Sequence, residues 1–87
     1  MMLVVTEIGW DGRIRRRLLN FSGLSDARLW EDLIGQVLAA PPPYRPVPGS
    51  AVYQLAVGSR AVLIAERDLT GPLRDLVMTV LASGDPA

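Results

Sequence analysis

Histidine, cysteine and lysine are all missing from this 87-residue chain. Without histidine it lacks the usual general base, the commonest zinc ligand and the central member of most nucleophile triads. Without cysteine it has no disulfide framework, no thiolate nucleophile and no thiol redox chemistry. Long apolar runs are absent as well. Nothing approaches the roughly 20 residues of a membrane span, and the apolar start Met1 to Ile8 lacks the basic flank and the length of a secretory signal. Together these absences predict a soluble cytoplasmic protein that uses no cofactor and acts by binding rather than by catalysis.

Charge of one sign is also lacking: nine basic residues offset nine acidic ones, so no global field favours nucleic acid or an anionic membrane. Every basic residue is arginine, and with abundant alanine, glycine and proline this fits a GC-rich bacterial genome. Apolar residues make up 49% and charged residues 21%, the balance of a folded domain and not of a disordered chain. At this length one modest core is feasible and two domains are not.

The patterning predicts an α+β domain in the order ββαββα. Leu3 to Ile8 is rich in β-branched residues and runs into Gly9-Trp10-Asp11-Gly12, whose glycines suit a tight reversal. The following stretch alternates, with Ile14 and Leu18 on one face and Arg13, Arg15 and Arg17 on the other, giving a first hairpin over residues 2–21. Ser25 is the expected N-cap of a helix over 26–39, with Leu29, Trp30, Leu33, Ile34, Val37 and Leu38 on its apolar stripe. Five of the seven prolines fall in residues 40–50, a stiff connection with polyproline character. A second hairpin over 51–66 turns at Gly58-Ser59, and a second helix covers 71–82, capped by Thr70 or Gly71 with Pro72 in its first turn. Each helix has one apolar face, so both are expected on one side of a four-stranded, mainly antiparallel sheet.

Few side chains are arranged for chemistry. Glu31 with Asp32 diverge on a helix, Glu66 with Asp68 sit where a strand hands over to a helix, and Asp68 is expected to serve that helix N-terminus. The run Arg13 to Arg17 is spread over two strand faces and reads as a solvated surface, paired with Glu7, rather than as a nucleic-acid site. Trp30 belongs to an apolar stripe. Trp10 stands at a loop tip, where it either folds back over the sheet or serves as an anchor for a partner, a role in which tryptophan is enriched. Tyr44, in the proline-rich link, is either a second contact or a pin holding the link to the domain.

The segment Thr6-Glu7-Ile8-Gly9-Trp10-Asp11-Gly12-Arg13-Ile14-Arg15 resembles the first hairpin of the emfourin family, small bacterial inhibitors of thermolysin-like (protealysin-type) metallopeptidases. That hairpin reads Arg-x-Gly-Gly-Phe-x-Gly-x-x-Arg, and Gly9, Trp10, Gly12 and Arg15 match it. The resemblance continues through the amphipathic helix, the proline-rich link, Tyr53-x-Leu55-x-Val57 and Leu69-Thr70-Gly71-Pro72-Leu73-Arg74-Asp75-Leu76-Val77. Thr6 stands where the family has arginine, Ile8 where it has the first glycine, and Asp11 adds a charge. The resemblance implies an inhibitor whose first hairpin loop, Gly9 to Arg13 with Arg15 and Tyr44, occludes the cleft of a zinc peptidase. The residues alone also admit a non-catalytic interaction module of a bacterial complex, and they leave open a homodimer through the exposed sheet face.

Overall fold

A computed structural model describes all residues 1–87. Strand β1 spans Met2–Ile8, β2 Ile14–Asn20, helix α1 Ala27–Ala39, β3 Val52–Val57, β4 Arg60–Ala65, α2 Gly71–Ser83 and β5 Asp85–Pro86. The five strands form one sheet in the order β4-β3-β1-β2-β5, antiparallel throughout. The architecture is α+β as expected, with one strand more than the four anticipated. That strand, β5, is only two residues long, too short for any periodicity. One of them is a proline, tolerated because the strand lies on the sheet edge.

The core lies between the sheet and the two helices. Leu3 and Val5 of β1, Tyr53 and Leu55 of β3 and Ile64 of β4 share one sheet face and pack with Ile34 of α1 and Leu73, Leu76, Val77 and Val80 of α2. Helix α2 keeps the expected apolar stripe, with Thr70 at its N-cap and Pro72 in its first turn. Helix α1 departs from expectation in two ways. It starts at Ala27 with Asp26 as N-cap and no side-chain capping bond, so Ser25 does not cap it. Leu29 is not part of the buried stripe: it is 69% exposed, and Ile34 is the helix's only fully buried residue. Trp30 is half-buried, edge-on to Phe21 with ring centroids 5.7 Å apart.

Between β4 and α2 the chain makes a 3-10 turn over Glu66–Asp68. Asp68 does not cap α2, contrary to expectation, and its Oδ2 is buried without a hydrogen-bond partner. After α2 the chain passes Gly84, where a Cβ would lie 2.6 Å from the Val80 carbonyl oxygen and 2.8 Å from that of Leu18. Only glycine lets the chain leave the helix so close to β2 and place Asp85 against Leu18. No helix is long and apolar enough to cross a membrane.

The alternation of β2 is as read, but its orientation is the reverse of what hydrophobicity suggests. Leu19 lies opposite Leu3, Arg17 opposite Val5 and Arg15 opposite Glu7, so these arginines are on the helix-bearing side. Ile14 and Leu18 face away, on the side no helix covers. Register explains the inversion: the phase is set by Leu3 and Val5, and near the hairpin tip the helix-bearing face is polar, with Glu7 in β1 and Arg15 in β2.

Candidate protein-binding edge

The first hairpin closes with the Gly9 N–H donating to the Arg13 carbonyl at 2.8 Å and the Gly12 N–H donating to the Gly9 carbonyl at 3.0 Å. Trp10, Asp11 and Gly12 are thus a three-residue loop, and Gly12 takes the left-handed conformation (φ 84°) that such a loop needs at its end. The two glycines play different parts. Gly9 has an ordinary backbone; what it provides is space, since a Cβ there would meet Asp11 Oδ1 at 2.8 Å. That carboxylate accepts from the Arg13 N–H at 3.1 Å, and its other oxygen lies 3.4 Å from Arg13 Nε. The tip is held by four short contacts and contains no apolar packing of its own.

On that frame Trp10 is 76% exposed, and Ile14 beside it 68%. They are among the most exposed large apolar side chains of the molecule. Trp10 does not fold back over the sheet.

Behind the tip, on the helix-bearing side, is a groove lined by Glu7, Trp10, Arg13, Arg15, Tyr53 and Glu66 among others. Glu7 is its centre: Arg15 lies 3.2 Å from Oε1, and the Tyr53 hydroxyl donates to Oε2 at 3.1 Å. Tyr53 is 4% exposed. Burial, then the hydrogen bond to Glu7, then the negative charges of Glu7 and Glu66 push its phenol up to about 12, with Arg15 acting in the opposite sense. Glu66 fastens the far wall. Its backbone N–H donates to the Ala51 carbonyl at 3.1 Å and its Oε1 accepts from the Ala51 N–H at 3.3 Å, continuing the β3–β4 ladder by one side-chain bond.

Gly9, Trp10, Asp11, Gly12, Arg13 and Arg15 therefore come together at one end of the sheet. Tyr44 does not join them: it is 46% exposed in the link and does not line the groove. Tyr53, Glu66 and Arg17 do, although the sequence did not place them at this edge. Tyr53 carries an alternation signal, but only the β1–β3 register, Glu7 opposite Tyr53, brings it to the tip. No group of three or more carboxylates comes together in a way that could hold a metal ion.

The chain matches no family model, and neither a curated protein nor a solved structure matches it.

Proposed function

We propose that this protein inhibits a thermolysin-like zinc metallopeptidase, acting by binding and not by catalysis, with the Gly9 to Arg13 tip occluding the active-site cleft. The observation that carries the reading is Trp10, a largely exposed indole on a hydrogen-bonded, glycine-flanked turn. A preorganised loop of this kind loses little entropy on docking, and an exposed tryptophan offers a large apolar anchor. The hairpin's resemblance to emfourins names the partner class. Asp11 and Arg13 lie 3.4 Å apart at the tip, which therefore carries no net charge.

The test is inhibition of a thermolysin-like peptidase with purified protein. Nanomolar or tighter inhibition is expected, weakened in Trp10→Ala by roughly 30- to 1,000-fold, the range of an interface hot spot. Full peptidase activity at saturating protein would overturn the reading.

A second reading, a non-catalytic interaction module, is favoured by one separate observation. The uncovered sheet face presents Met2, Ile8, Ile14 and Leu63, all exposed, with Arg16 and few other polar groups. Under that reading Ile14→Lys and Leu63→Lys disrupt the complex, while Trp10→Ala leaves it intact.

A further inference from the structure

Strand β2 has an outer edge that only β5 touches, and the hydrogen-bond phase says which groups it leaves free. The Gly9 N–H to Arg13 carbonyl bond at one end and the Phe21 N–H to Met1 carbonyl bond at the other fix the odd-numbered residues of β2 as those bonded to β1. Ile14, Arg16 and Leu18 therefore turn their N–H and C=O groups outward. Leu18 is met by Asp85, and pairing stops at Arg17 opposite Pro86. The Ile14 N–H and C=O and the Arg16 N–H are left without a strand partner, and no side-chain hydrogen bond reaches them.

The side chains along this stretch have one sign. Arg15 is matched by Glu7 and Arg13 by Asp11, but neither Arg16 nor Arg17 has a carboxylate within ion-pair distance. The Arg17 guanidinium donates only to the Arg16 carbonyl, at 2.8 Å. Cations on an edge strand discourage pairing with a second copy of the same strand, because like charges would stand opposite each other. They do the reverse for an acidic strand.

We propose that the Arg13–Arg17 edge of β2 is a strand-addition site for a short, extended, acidic segment of a protein partner. Main-chain bonds to Ile14 and Arg16 align the segment, its carboxylates meet Arg16 and Arg17, and an apolar residue covers the exposed Ile14. The inference takes the first hairpin as the binding edge, as the inhibitor reading does. It adds the chemistry of what lies alongside that hairpin, and it holds for a partner of any activity.

The test uses the full chain and a blocked Glu-Glu-Thr-Val peptide, whose adjacent glutamates lie one on each face opposite Arg17 and Arg16 and whose valine falls opposite Ile14, with the Lys-Lys-Thr-Val peptide as its counterpart. In the free protein the Ile14 and Arg16 amides exchange with solvent much faster than those of Val5 or Leu55. Adding the glutamate peptide slows both by about tenfold or more, because a strand bond closes over each. Binding weakens as salt is raised, and the lysine peptide does not bind. The double variant Arg16→Glu with Arg17→Glu loses the glutamate peptide and gains the lysine one. Ile14→Pro removes an outward N–H that the fold does not use, so it abolishes peptide binding while leaving the thermal melt near wild type. Equal binding of both peptides, unchanged exchange at Ile14 and Arg16, or indifference to the arginine reversals overturns the proposal. A protein that ignores the peptide yet inhibits the peptidase loses this inference alone. One that binds the peptide without inhibiting loses the cleft reading alone.

Discussion

Tyr53 shows most directly how one residue's surroundings become a measurable property. Its phenol lies among core side chains on one side and against the Glu7 carboxylate on the other, and the first of these dominates the rise of its pKa from 10.0 to about 12. A group whose pKa is higher folded than unfolded holds its proton more tightly in the native state. Its stabilising contribution is whole below pH 10 and is lost as pH rises from 10 toward 12. Denaturation midpoints are therefore expected to fall over that window, and to fall less in Tyr53→Phe; ultraviolet titration of tyrosinate in the two proteins checks the assignment. The phenylalanine variant should cost about 1 kcal/mol at neutral pH, the net worth of one hydrogen bond. Trp10→Ala should change stability by no more than about 0.5 kcal/mol, since an exposed side chain without packing has little to lose. Gly12→Ala, by contrast, forces a Cβ into the left-handed region and should cost about 1–2 kcal/mol by urea titration.

Among the elements, the two helices differ in how firmly they are held. Helix α2 buries five residues and α1 only Ile34. Ile34→Ala should cost about 2–5 kcal/mol, the range for removing a fully buried aliphatic side chain, whereas Leu29→Ala should be close to neutral; chemical denaturation of the pair distinguishes them. The stripe of α1 was legible in the sequence as to its centre but not its width, because periodicity does not say how much of a helix flank the neighbouring elements reach. The β2 arginines show the same limit. Alternation separated them from Ile14 and Leu18, yet which set turns toward the helices depends on the pairing with Leu3 and Val5, a relation between two strands that neither encodes alone. The tip loop was legible because its turn chemistry is local: glycines at both ends with an aspartate between them. Tyr53 and Glu66 reach the same site through pairings 46 and 15 residues apart in the chain, and nothing local to either residue places it there. Gly84 is the C-cap of α2. Its second role, close approach to the Leu18 carbonyl, predicts that Gly84→Ala detaches β5, seen as faster amide exchange at Leu18.

At the scale of the whole molecule, one face of the sheet carries two helices and the other carries none, while the polar groove and the exposed Trp10 share one end. The order β4-β3-β1-β2-β5 makes the first strand of the chain the middle one of the sheet. Its partner on one side is a hairpin neighbour, but on the other Val5 pairs with Leu55, fifty positions later. Closing so long a loop costs entropy before any contact is gained, so the β1–β3 pairing is expected to set the pace of folding. Val5 and Leu55 belong to that encounter, and shortening either should slow refolding in stopped-flow experiments; truncating Ile34 should chiefly hasten unfolding. On this account a stiff proline-rich link narrows the search for that pairing, and replacing Pro41, Pro42 and Pro43 by glycine is expected to slow refolding.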